Sequence, residues 1–205
     1  AQKTGINACG GLYMLVGQAV LASQIFTGVK YTQETIDDIY GRIHGQKLNI
    51  VLIGMPGCGK STIGRLLADR LKRPFIDTDD VIVRRKGMPI TDIFAQEGQQ
   101  AFRALEKEVI RECCLRGGSV IATGGGAVLD AENTANLASN GCIYFLDRPL
   151  EQLVPTDSRP LASDRTKIEN LYKERYDIYR AAADRIIEVN GAERTSAAIE
   201  EDFCK

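Results

Sequence analysis

The run Gly54-Met55-Pro56-Gly57-Cys58-Gly59-Lys60-Ser61-Thr62 follows the apolar stretch Leu48-Asn49-Ile50-Val51-Leu52-Ile53 and opens an amphipathic one. That context reads as a strand, a phosphate loop and a helix. Glycines let successive backbone N–H groups of Gly57, Cys58, Gly59, Lys60, Ser61 and Thr62 converge on phosphate oxygens. Lys60 reaches the outer phosphates, the Ser61 hydroxyl is placed to ligate Mg²⁺, and the helix N-terminus adds positive potential. A pair of glycines alone would signal only a turn; the full spacing between strand and helix points to a nucleoside triphosphate.

Composition narrows the alternatives. With 205 residues the chain can bury one α/β domain plus an appendage. A net charge of −1 and a pI of 6.0 offer no electrostatic reason to expect nucleic acid or an anionic membrane as partner, which leaves small charged ligands. Cys58 lies inside the phosphate loop, where a disulfide would obstruct the nucleotide, so reduced thiols and a cytoplasmic setting are expected. The adjacent Cys113 and Cys114 have no second pair at metal-ligand spacing, so zinc is not expected. His44, the only histidine, lies in a polar approach to the first strand, which argues against a histidine-based triad.

From residue 46 onward strands alternate with helices. The strands are expected at Leu48–Ile53, Phe75–Ile76, Ser119–Ala122, Cys142–Leu146 and Arg185–Val189. Helical patterns fill 61–72, 79–86, 90–96, 99–115, 131–139, 167–183 and 195–203. Alternation of this kind argues for a parallel sheet covered on both faces, with ligands at the carboxyl ends of its strands.

Three further groups fall just after strand ends. Asp77-Thr78-Asp79 could divide its labour, one carboxylate supporting hydrated Mg²⁺ and the other accepting a proton from an attacking hydroxyl. The plainer alternative is that Asp79 caps the next helix. Gly124-Gly125-Gly126 lets a ligand approach backbone donors closely, or simply turns the chain. Arg103 and Arg159 could grip an anionic substrate through planar guanidinium groups, although surface arginines are common.

The ordered set GMPGCGKST, FIDTDD, DIFAQEGQQAFRALE, TGGGAV and RPL resembles the shikimate kinases from Leu48 to the end. The resemblance implies an α/β phosphate-loop fold of the nucleoside monophosphate kinase type, with a five-stranded parallel sheet flanked by helices. It implies transfer of the ATP γ-phosphoryl to the 3-hydroxyl of shikimate. Lys60 and Ser61 would then serve ATP and Mg²⁺, Asp77 would support the metal through water, and Asp79 would be the base. Arg103, Gly125 and Arg159 would hold the substrate, the two arginines on its carboxylate, between apolar walls from Phe94 and Phe102. One departure stands out. The family commonly carries another lid arginine before RPL, whereas residues 150–158 here contain none, leaving Arg148 or Arg165 as substitutes, or Lys60 and Mg²⁺ acting without one.

Residues 1–46 form an expected helical appendage before a kinase domain at 47–205. The run from Leu12 to Ala22 is apolar nearly all round, which suits a buried helix; it is too short and too interrupted for a membrane span. The segment Gly10–Ala19, with Phe26-Thr27-Gly28 beyond it, resembles the C-terminal end of shikimate dehydrogenases, in which Gln18 would contact shikimate. That resemblance implies covalent or non-covalent association with a dehydrogenase domain. Rival readings are a kinase of another small acceptor, such as gluconate or a nucleoside monophosphate, and a GTPase. No Asn-Lys-x-Asp run for guanine is present.

Overall fold

The computed structural model describes residues 11–153 and 165–204. Contacts divide the chain into two units, one up to Lys47 and one from Leu48. In the first, helix α1 (Gly11–Thr27) packs on α2 (Gln33–Lys47). Val16 and Val20 are the buried residues of α1, and Ile39 and Ile43, one turn apart on α2, line the same apolar groove. The Tyr13 hydroxyl donates to Asp37 Oδ1 at 2.5 Å, and the Tyr13 ring meets Tyr40 edge-on at 5.1 Å.

The structure sharpens one expectation about this segment and corrects another. The polar approach to the first strand that carries His44 is helical, with His44 in the last turn of α2. The helix is easily missed because its apolar positions are sparse among Glu34, Asp37, Asp38 and Arg42. Helix α1, however, is not buried all round: Met14, Leu15, Leu21, Ile25 and Phe26 remain exposed, because one short partner helix covers only one stripe.

The second unit is a parallel sheet of β1 (Asn49–Ile53), β2 (Phe75–Asp77), β3 (Val120–Ala122), β4 (Gly141–Asp147) and β5 (Arg185–Glu188), in the order β2-β3-β1-β4-β5. All of β1 is buried, and its middle residue Val51 faces Ile121 on one side and Ile143 on the other. A central strand covered on both faces must read as a nearly unbroken apolar run, and Ile50-Val51-Leu52-Ile53 does. The helices are α3 (Lys60–Leu71), α4 (Thr78–Lys86), α5 (Ile90–Cys114), α6 (Ala131–Ser139), α7 (Arg165–Ala182) and α8 (Ala192–Phe203). Among the described residues no helix is long and apolar enough to cross a membrane.

The two expected helices at 90–96 and 99–115 form one element, α5, broken by Gly98 with φ 82° and ψ 173°. In a straight helix Phe94 and Phe102 would stand about 12 Å apart along the axis. The break brings their ring centroids to 4.7 Å. An alanine at Gly98 would meet no neighbour, yet this backbone conformation strongly favours glycine. Gly98→Ala should therefore destabilise the protein by about 1–3 kcal/mol, read by urea denaturation. An unchanged midpoint and slope would show that the break is not required.

Candidate active site

Because the sheet is parallel and its order reverses around β1, the loops after β1, β2, β3 and β4 share its carboxyl edge. The first is the glycine-rich loop. Gly59, with φ 103°, starts α3, and the Lys60 side chain folds back beneath the loop, its Nζ donating to the carbonyls of Gly54 at 2.7 Å and Met55 at 2.9 Å. The ammonium is thus held buried against backbone oxygens beside the N-terminus of α3, where the first N–H groups have no partner within the helix.

From the end of β2, Asp77 binds in two directions. Its Oδ2 accepts the Ser61 hydroxyl at 2.6 Å, while its Oδ1 accepts the N–H groups of Asp79 at 3.0 Å and Asp80 at 3.4 Å. Asp77, not Asp79, therefore caps α4, and the plainer reading of Asp79 as a cap is overturned. Asp79 sits in the first turn beside the glycine loop: a Cβ built on Gly124 would stand 2.6 Å from its Oδ1 and 2.9 Å from Glu106 Oε1. A side chain at Gly124 would have to displace both carboxylates.

The opposite wall comes from α5 and α7. Arg103 Nη1 donates to Glu106 Oε2 at 2.5 Å, and its guanidinium lies where a side chain at Gly126 would have to go. Phe102 lies under Arg103 at 5.4 Å from ring centroid to guanidinium carbon. Glu106 is 1% exposed, and burial pushes its carboxyl above the ordinary value of 4.5; Arg103 opposes that shift, Asp79 adds to it, and Arg175 opposes it. Arg175, on α7, donates from Nη1 to the Gly125 carbonyl at 3.1 Å, and the Tyr179 hydroxyl donates to the same oxygen.

The structure thus gathers Lys60, Ser61 and Asp77 on one side, and Asp79, Arg103, Gly125, Phe94 and Phe102 on the other. Arg159 lies outside the described residues, as does most of the 150–158 stretch. Of the two substitute arginines, Arg165 is committed to Glu169 at 3.2 Å and the Leu153 carbonyl at 3.4 Å. Arg148 follows β4 instead, with Nη1 4.0 Å from a Cβ built on Gly59 and a buried Nε without a hydrogen-bond partner. Sequence reasoning missed Glu106 and Arg175. Both had a signal: each is a charge on the apolar stripe of its helix, Glu106 between Leu105 and Val109, and Arg175 among Ile168, Leu171 and Tyr179.

The Glu106 shift has a sign. A carboxyl whose folded value is raised binds its proton more tightly when folded, so its contribution is most favourable below the ordinary value of 4.5 and is lost as pH rises through the folded value. Glu106→Gln should remove that dependence, so the stability of wild type relative to the variant should fall with pH in that window. Parallel urea-melt profiles across it would mean that Glu106 titrates normally.

The model of the shikimate kinase family matches residues 56–203. Shikimate kinase from Clostridium beijerinckii is 46% identical over 145 residues, covering 69% of this chain and 85% of that protein. The one from Francisella tularensis subsp. novicida is 45% identical over 152 residues, covering 70% and 86%. Among solved structures, shikimate kinase from Acinetobacter baumannii in complex with shikimate aligns with a TM-score of 0.75 at 36% identity, covering 80% of this chain and 97% of that one. The enzyme from Aquifex aeolicus aligns with a TM-score of 0.68 at 34% identity, covering 76% and 96%. With a phosphate loop and an arginine-held glycine loop on one sheet edge, and relatives of this similarity over most of their length, the chain belongs to the shikimate kinase family.

Proposed function

We propose that this enzyme transfers the γ-phosphoryl group of ATP to the 3-hydroxyl of shikimate, in the route to chorismate and the aromatic amino acids. The observation that carries it is the convergence of Asp79, Arg103, Glu106 and Arg175 on Gly124–Gly126, the loop after β3, next to the loop that leads from β1 to Lys60. An acceptor with hydroxyls at one end and a carboxylate at the other suits such a pocket. Asp79 takes the hydroxyl proton as the oxygen attacks, and Lys60 steadies charge on the transferring group.

The oxygen pair of Ser61 and Asp77, 2.6 Å apart, fits hydrated Mg²⁺, with Ser61 as a direct ligand and Asp77 acting through water. Bound there with ATP, the ion would neutralise phosphate charge. Among the described residues no group of three or more His, Cys, Asp or Glu could hold a metal. A hard ion shared with phosphates needs fewer protein ligands than that.

Arg175, 7% exposed and close to Glu106 together with Arg103, joins Arg103 and Arg159 as a cation for the substrate carboxylate. Arg159 remains a substrate-binding residue on the family resemblance alone. Arg148 is better placed than Arg165 to add positive charge beside the phosphate loop.

Assignment of residues 1–46 to the end of a shikimate dehydrogenase rests on the run Gly10–Ala19. The family match begins only at residue 56, and no relative described above supports a dehydrogenase segment or partner.

ADP release should be stimulated by shikimate and not by gluconate or nucleoside monophosphates, and Asp79→Asn should lower kcat by roughly 10²-fold or more. Equal stimulation by gluconate would overturn the acceptor assignment; near-full turnover by the variant would remove Asp79 as base.

Replacing Arg103 or Arg175 with Met should weaken shikimate binding by about 2–5 kcal/mol, the range for breaking a buried charge pair. The loss should be much smaller for an analogue lacking the carboxylate. Equal losses for both compounds in a calorimetric titration would leave these arginines a structural role only.

A further inference from the structure

The glycine loop after β3 is held from more directions than a turn requires. Between Ser119 and Val128 every residue is buried except Gly125, which is partly exposed. The Gly124 N–H donates to the Thr78 hydroxyl oxygen at 3.0 Å, and Thr78 is fully buried between the two carboxylates Asp77 and Asp79. The Gly124 carbonyl accepts from the Ala127 N–H at 3.2 Å. The Gly125 carbonyl accepts from both Arg175 and Tyr179. The Tyr179 ring is itself fixed, 1% exposed and stacked on Phe145 at 5.4 Å between centroids.

These contacts orient three successive peptide planes. A trans peptide points its N–H opposite to its C=O. Since the Gly124 carbonyl is turned inward to Ala127, the Gly125 N–H must face the other way. We infer that Thr78 and Tyr179 are positioning residues for the acceptor. They grip the loop from α4 and α7, so that the Gly125 N–H is presented as a fixed hydrogen-bond donor to an anionic or hydroxylic acceptor group. Neither needs to touch the acceptor. The inference rests on the proposed use of this pocket by shikimate, and it adds residues that serve the pocket through the main chain.

Tyr179 shares its carbonyl with Arg175, so Tyr179→Phe leaves that oxygen an acceptor of one hydrogen bond and loosens the loop without stranding it. Thr78→Val removes the acceptor for the Gly124 N–H, while Thr78→Ser keeps it. Steady-state kinetics with shikimate and ATP, and a thermal melt, should be run on wild type and all three variants. Thr78→Val and Tyr179→Phe should each raise KM for shikimate by about 3- to 10-fold, the effect of one neutral hydrogen bond. Their kcat and KM for ATP should stay within about twofold, as expected when only acceptor binding is lost. Thr78→Ser should recover the KM that Thr78→Val loses. Lower melting temperatures with an unchanged KM for shikimate would reduce both residues to structural parts. So would equal rises in KM for ATP and shikimate. If Tyr179→Phe does not fold, the contrast between Thr78→Val and Thr78→Ser decides alone. Absence of shikimate turnover by the wild-type protein would instead sink the functional reading, and this inference with it.

Discussion

Everything at the site depends on β1 lying between β3 and β4 in a parallel sheet. A parallel sheet sends every strand's carboxyl end the same way, so four loops distant in sequence are forced onto one edge. The central strand delivers the phosphate loop into the middle of that edge. Its neighbour β3 delivers the glycine loop, and β2, one step further out, delivers Asp77 and Asp79. The apolar burial of Ile50, Val51, Leu52 and Ile53 therefore acts on chemistry as well as stability. These four residues, all 0% exposed, fix where Lys60 stands relative to Asp79.

Charge around the glycine loop is arranged as an alternating set. Two carboxylates, Asp79 and Glu106, crowd the same backbone position, and two guanidinium groups, Arg103 and Arg175, oppose the burial penalty that Glu106 bears. Burying Glu106 without them would be costly, since a desolvated carboxylate must be paired or protonated. The pairing also limits motion: Arg103 is held between Glu106, Phe102 and the glycine backbone. A cation held in this way has little side-chain freedom left to lose on binding an anion.

Two residues do double duty in joining the halves of the site. Asp77 accepts the Ser61 hydroxyl with one oxygen and caps α4 with the other, so the helix carrying Asp79 is tied to the helix of the phosphate loop. Gly125 lies between the two halves in a similar way. A Cβ there would come within 2.9 Å of Pro56 in the phosphate loop, while its carbonyl is held by α7. Nucleotide and acceptor sides are thus linked by short-range contacts that leave little room for independent drift.

The strands and most helices were legible because buried parallel strands are short apolar runs and the helices carry a regular apolar stripe. The phosphate loop was equally legible, since its function needs glycines, a lysine and a hydroxyl at fixed spacing in a few consecutive residues. Motif order singled out Asp77, Asp79, Arg103 and Gly125, and the structure brings them to one sheet edge. What the residues alone left open was whether Asp79 caps the helix. Both Asp77 and Asp79 are chemically able to cap, and the choice follows from the strand ending at Asp77, whose extended backbone suits the cap position. Helix α2 stayed hidden because its apolar positions are sparse among Glu34, Asp37, Asp38 and Arg42. Glu106 and Arg175 stayed hidden because they lie 69 residues apart on different helices and acquire a role only when those helices face one glycine loop. Local sequence thus determined the parts whose chemistry is written in consecutive residues. Tertiary structure alone decided which distant charges meet, because burial and pairing are properties of the assembled sheet edge and of no single segment.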